Sequence, residues 1–261
     1  DFYQRLVSQN KKIQNPLLVK KMKEAKLYPA TECYDLPDDA YADGAIANIG
    51  IDKLNELAQN KKPFYLVLGF KKPHLPFNAP KKYWDLYKRA KISIHPHQKQ
   101  GKDRPQYSYH TYGELGAYST YKAAQSVAAE KQKELIHAYY ACVSYVDAQI
   151  GKVMQALKEN GLDKNTIIVL WGDHGWHLGD HGLWCKHSNF EQATAAPLII
   201  SAPGMTKGKK TTSHSELVDI FPTVCELAGL ALPKQLEGDS LVPILKSSSV
   251  KVKDYSMSQY P

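Results

Sequence analysis

Apolar positions along this chain fall into two kinds of pattern. Phe64 to Phe70 (FYLVLGF) and Thr166 to Trp171 (TIIVLW) are continuous, β-rich runs. A short unbroken apolar run predicts a strand buried on both faces of a sheet. Pro197 to Ala202 (PLIISA), stopped by Pro203-Gly204, predicts a third strand. Elsewhere the spacing is helical. Leu135, Ile136, Tyr139, Cys142, Val143, Val146, Ile150, Val153, Met154 and Leu157 line one face of a helix predicted over 128–160, closed by Asn160-Gly161. A shorter helix over 44–60 carries Ile46, Ile49, Leu54, Leu57 and Ala58, and Lys61-Lys62-Pro63 ends it. Leu217 to Leu230 is a further amphipathic stretch, with Pro222 in its first turns, and Gly238 to Leu245 is a short apolar element.

Helix and strand alternate, which predicts an α/β fold with a mostly parallel sheet sandwiched by helices. The helix over 128–160 joins strand 64–70 to strand 166–171, so those two strands can run parallel. The predicted layout is a connector over 1–43, an α/β core over 44–245 and a tail over 246–261. The connector holds a basic helical stretch (Leu17 to Lys26) and a turn-rich stretch (Tyr28 to Tyr41). Within the core, 78–125 is irregular and rich in Tyr, His, Lys and Gly; loops of such length are commonly functional lids.

Composition narrows the class without naming a chemistry. The 261 residues are 43% hydrophobic and 23% charged, as in an ordinary globular protein. No apolar run reaches the length of a membrane span. The opening DFYQRLVSQNKK has neither the apolar core nor the cleavage site of a signal peptide, and it does not begin with Met, so a fragment or processed piece is expected. Cys33, Cys142, Cys185 and Cys225 form no CxxC, which excludes a zinc ribbon or a disulfide-dense scaffold. The net charge of +8 suits an anionic partner. The lysines come as scattered pairs such as Lys71-Lys72, which reads as solvated surface, and no basic stripe or nucleic-acid motif is present.

The candidate chemistry is concentrated after the second strand. Asp173 and His174 follow Gly172 at the carboxyl end of a buried run, where open α/β sheets place their ligands. His177, Asp180, His181, Lys186 and His187 come next, interleaved with Trp176 and Trp184, and four of the ten histidines lie in this one stretch. A carboxylate beside an imidazole can ligate a cation, and a lysine can offer a point charge to an oxyanion. His74 lies in Lys71-Lys72-Pro73-His74-Leu75-Pro76-Phe77, just past the first strand. Its flanking prolines restrict where it can point.

Four blocks then resemble one family: PFYLVLGFKKPHLPF, WGDHGWHLGDHGLWCKHSNFEQAT, PLIISAPG and ELVDIFPTVCELAGL. They look like the sulfatases of the alkaline-phosphatase superfamily, most nearly the iduronate-2-sulfatase branch, over most of 28–261. The resemblance implies a sulfuric ester hydrolase acting on sulfated sugars or polysaccharides. It implies that Asp173 and His174 ligate calcium, that Lys186 contacts the sulfate, and that His74 binds the sulfate and assists the leaving oxygen. Trp184, His177 and His181 enter as substrate-binding candidates. Ligand chemistry alone points to zinc or manganese for a carboxylate with an imidazole, since calcium prefers oxygen shells. The family is periplasmic, secreted or lysosomal, so the resemblance implies one of those compartments.

Departures from the pattern shape the expectation. The family's formylglycine arises from Cys-x-Pro-x-Arg or a close variant, and the cysteine contexts here are CYDLP, CVSYV, CKHSN and CELAG. Asp38-Asp39 follows Leu36-Pro37 in the connector and is not assigned to metal. The chain is therefore expected to lack the family's N-terminal nucleophile region and to be inactive alone. Two alternatives stand: a metal-dependent phosphoesterase or phosphodiesterase of the same superfamily, and a non-catalytic binder of anionic polysaccharide or nucleic acid.

Overall fold

The longest helical pattern becomes a 31-residue helix, Ala129–Glu159, in the computed structural model, which describes residues 29–109, 113–118, 121, 127–205 and 208–259. The stretch expected as a basic helix, Leu17 to Lys26, lies outside the described residues. In chain order the elements are β1 (Thr31–Tyr34), α1 (Ala42–Asn60), β2 (Phe77–Pro80), α2 (Lys81–Trp84), α3 (Ala129–Glu159), β3 (Ile168–Trp171), β4 (His177–Leu178), β5 (Trp184–Cys185), α4 (Glu191–Thr194), β6 (Leu198–Ser201), α5 (Ile220–Leu227) and α6 (Val242–Lys246), with 3₁₀ turns between them. The class is α/β, as the alternation predicts. Three two-stranded ladders form among the described residues: β1–β2 is parallel, and β3–β6 and β4–β5 are antiparallel. Where a single core over 44–245 was expected, the chain groups into two units, one reaching to Leu162 and including His177–Cys185, the other comprising Asp163–Trp176 and the residues from Lys186 onward.

In the first unit α1 and β2 both pack on α3. The buried seam of α3 runs through Leu135, Ile136, Ala138, Ala141, Cys142, Tyr145 and Gln149. Two residues of the predicted apolar face are exposed instead: Val143 at 42% and Met154 at 37%. The seam turns because a polar cluster claims its middle. The Asp38 carboxylate accepts from Lys152 Nζ (2.6 Å), Tyr83 Oη (3.0 Å) and Gln149 Nε2 (3.2 Å), and it pairs with Lys82 Nζ at 2.7 Å. Tyr145 Oη donates to the Asp38 carbonyl at 2.9 Å and accepts the Gly44 N–H at 2.6 Å. Burial works to raise the Asp38 carboxyl, but the donors from Lys152, Lys82, Gln149 and Tyr83 prevail and hold it at about 2. Gly44 passes so close that a Cβ there would stand 2.1 Å from the Asp38 carbonyl oxygen.

Two sequence expectations change here. The turn-rich connector contains β1, which pairs with β2 from Thr31↔Phe77 to Tyr34↔Pro80. The expected strand over 64–70 belongs to no ladder among the described residues. Its burial still alternates with a period of two, as on an extended chain. Leu68 faces Gly50 of α1, whereas Tyr65 (83% exposed) and Val67 (56%) face outward. Sequence supplies the side-chain pattern of a strand, but a ladder also needs a hydrogen-bonding neighbour.

The second unit is built on β3, which pairs with β6 from Ile168↔Ser201 to Trp171↔Leu198. The stretch predicted as a helix over 217–230 opens with a 3₁₀ turn, Leu217–Asp219, before α5. Asp219 is fully buried and accepts from the backbone N–H of Glu216 (2.8 Å) and Asp239 (2.9 Å) and from Lys253 Nζ (2.8 Å). Lys253 ties the expected tail to this turn. Among the described residues no helix is long and apolar enough to cross a membrane.

Candidate active site

The second unit gathers three of the expected site residues at the carboxyl end of β3. The Gly172 N–H donates to the Pro197 carbonyl at 2.9 Å and extends the β3–β6 edge by one residue. The chain then passes over α4: the Gly175 N–H donates to the Ala193 carbonyl at 2.8 Å, and a Cβ at Gly175 would lie 2.1 Å from the Gln192 carbonyl oxygen. Only glycine allows that approach. Asp173 and His174 therefore sit on a stretch pinned on both sides.

His174 Nδ1 lies 2.7 Å from the Gly175 carbonyl oxygen. A carbonyl only accepts, so Nδ1 carries the proton, and in the neutral ring Nε2 offers its lone pair. Nε2 is 3.7 Å from Asp173 Oδ2, too far for a hydrogen bond, and the Asp173 side chain is 83% exposed. An imidazole lone pair thus stands beside an open carboxylate, and this pair fits a cation. Among the described residues no cluster of three or more His, Cys, Asp or Glu side chains could hold a metal ion, so Asp173 and His174 alone would supply only part of a ligand set. Trp176 connects the pair to Lys186: its ring lies 5.9 Å from that of His174, and Lys186 Nζ stands 5.2 Å from the Trp176 ring centroid. An ammonium over an indole face is held by the ring quadrupole.

The first unit carries the remaining candidates. His74 Nδ1 lies 2.7 Å from the Leu75 carbonyl, and Nε2 lies 3.0 Å from Glu114 Oε1. Two residues not among the expected site residues fasten its loop. Asp43, in the first turn of α1, accepts the N–H of Lys71 (3.0 Å) and of Lys72 (2.8 Å). The Lys72 ammonium donates back to the carbonyls of His74 (3.0 Å) and Pro76 (2.6 Å). Lys72 is buried, which lowers its ammonium from the ordinary value, and the reading of Lys71-Lys72 as solvated surface is corrected for this residue. Both the Lys72–Pro73 and Leu75–Pro76 peptides are cis.

His177, His181 and Trp184 lie on the β4–β5 hairpin of the first unit. His177 is 1% exposed and its Nδ1 is bonded to Asp180 Oδ2, while Asp180 Oδ1 accepts the Leu178 N–H at 3.0 Å. Burial opposes ionisation of Asp180, yet the His177 contact keeps its carboxyl below the ordinary range. The ring of His177, expected as a substrate-binding candidate, is thus buried within the hairpin against Asp180. His181 takes a left-handed backbone (φ 55°) and donates its N–H to the His97 carbonyl at 2.7 Å. Trp184 is partly exposed and closes over Gly179, where a Cβ would meet its ring at 3.3 Å.

Comparison with known proteins gives these geometries a family. The family model described as Sulfatase matches residues 6–230. A sulfatase of Formosa agariphila is 38% identical over 224 residues, covering 85% of this chain and 43% of the relative. The iduronate 2-sulfatase of Mus musculus is 31% identical over 240 residues, covering 80% of this chain and 44% of its own length. In fold, the chain is similar to a phosphonate monoester hydrolase from Silicibacter pomeroyi (TM-score 0.72, 26% identity, 84% of this chain and 44% of that one). The chain spans less than half the length of these relatives. Matched over most of its residues by the family model and by relatives above 30% identity, it belongs to the sulfatase family.

Proposed function

We propose that this chain contributes the leaving-group and metal side of a hydrolase for sulfate esters on sugars or polysaccharides, with an iduronate-2-sulfatase-like substrate. The carrying observation is the cluster in the second unit, where Asp173, His174 and Lys186 meet around Trp176 at the end of β3. Asp173 and His174 would hold a calcium ion. When bound, that ion supplies positive charge to sulfate oxygens. Lys186, a compact ammonium, stabilises negative charge on the same sulfate oxygens. His74, protonated at Nε2, donates that proton to the sugar oxygen as the sulfur–oxygen bond breaks. No cysteine here stands in the formylglycine context, so the nucleophile comes from outside these residues and the 261-residue chain alone turns over nothing.

The test is hydrolysis of an aryl sulfate by the native protein and by the isolated chain. The native protein is expected to turn over, with His74→Ala and Lys186→Ala each lowering kcat/KM about a hundredfold or more. The isolated chain is expected to be silent, and turnover by it would overturn this division of labour. A second reading, a phosphorus-ester hydrolase, is favoured by the likeness to the phosphonate monoester hydrolase. Faster cleavage of an aryl phosphonate ester than of the aryl sulfate would select it.

A further inference from the structure

His74 has two ring nitrogens, and each meets an acceptor within the first unit. Nδ1 donates to the Leu75 carbonyl at 2.7 Å. That leaves Nε2 as the nitrogen available for chemistry, and Glu114 Oε1 lies 3.0 Å from it. The contact is sheltered, with side-chain exposures of 33% for His74 and 15% for Glu114. Both ring nitrogens thus face acceptors, and a doubly protonated ring would donate to both.

Glu114 is not needed to hold the histidine in place. The His74 loop is already fastened by the Asp43 carboxylate on the N–H of Lys71 and Lys72, by the Lys72 ammonium on the carbonyls of His74 and Pro76, and by the ring's own bond to Leu75. What Glu114 adds is an anionic oxygen at the nitrogen that a substrate would use. A carboxylate and a sulfate present the same face to an imidazolium: an oxygen that accepts and carries negative charge.

We propose that Glu114 is an internal stand-in for the substrate's anion, seated on His74 Nε2 in the resting state, and that a sulfate-class oxyanion must displace it to engage His74. The inference rests on the proposed role of His74 and adds a self-competing contact to it. Glu114 is then a competitor whose removal tightens anion binding. A purely structural partner would behave oppositely, because its loss would loosen the ring.

Titration of the full chain with inorganic sulfate tests this, read by NMR of labelled histidine rings, with sodium chloride at matched ionic strength as control. His74→Gln identifies the His74 signal by its loss. In Glu114→Gln and Glu114→Ala the sulfate concentration at half-saturation of that signal is expected to fall about tenfold. Glu114→Asp, which keeps the charge but retracts it by one methylene, gives a second route should the neutral variants lose the fold, and there too the value falls. An unchanged or higher half-saturation, or no response of His74 to sulfate in any form, overturns the proposal. Inorganic sulfate is not hydrolysed, so the readout is separate from turnover. A lowered half-saturation with no sulfate-ester hydrolysis by the native protein keeps the competition and removes the hydrolase reading.

Discussion

The Asp43 carboxylate accepts the Lys72 N–H at 2.8 Å, and Lys72 in turn spends its buried ammonium on two carbonyls of the loop that carries His74. One helix start therefore positions one candidate catalytic ring. Asp43→Ala orphans two backbone donors and is expected to lower unfolding free energy by about 2 kcal/mol in denaturant titration of the full chain. It should also lower kcat more than it raises KM in the native protein, because a displaced His74 is missed most at bond breaking. A variant with unchanged stability would mean that the loop holds itself.

Asp38 ties the middle of α3 to the N-terminal segment, and its carboxyl is held at about 2 against an ordinary 3.8. A lowered carboxyl contributes stability above its unfolded value and gives it up as pH falls from about 4 toward about 2. Asp38→Asn is therefore expected to cost about 2 kcal/mol at neutral pH. The gap between the two proteins should close as the pH drops through that window. A gap that stays constant down to pH 2 would show that the carboxylate's charge is not what stabilises this cluster.

Gly175 leaves no room for a Cβ against the Gln192 carbonyl, and it anchors the two residues that would hold the cation. Gly175→Ala is expected to destabilise by about 1–3 kcal/mol through overpacking. Calcium titration calorimetry of the full chain should show weak binding, of the millimolar kind expected of an incomplete ligand set. Asp173→Asn and Gly175→Ala should each abolish it. Retention of calcium by Asp173→Asn would place the ion elsewhere.

Much of this was readable from residue order. The long helix over 129–159 was legible because ten apolar positions keep one spacing, and the placement of Asp173-His174 because one glycine separates the pair from a short β-rich run. The exact seam of α3 was not legible. It bends toward Tyr145 and Gln149 because Asp38, 111 positions before Gln149, supplies their polar partner. Lys72 looked like half of a surface pair, since nothing local reveals that its ammonium will find carbonyls two and four residues on. Glu114 lies in an irregular segment with no periodicity to mark it, and only the folded distance to His74 singles it out. His177 is one of several histidines in its stretch, and the Asp180 three residues later is the sequence signal for a buried pair.

Lys186 and the Asp173-His174 pair, gathered at the carboxyl end of β3, are the residues proposed to receive the sulfate and its cation. A crystal structure of the native protein soaked with inorganic sulfate and calcium measures this most directly. Sulfate is expected within about 3.2 Å of Lys186 Nζ, with calcium on Asp173 and His174. Sulfate and calcium bound only away from Lys186, Asp173 and His174 would contradict this assignment.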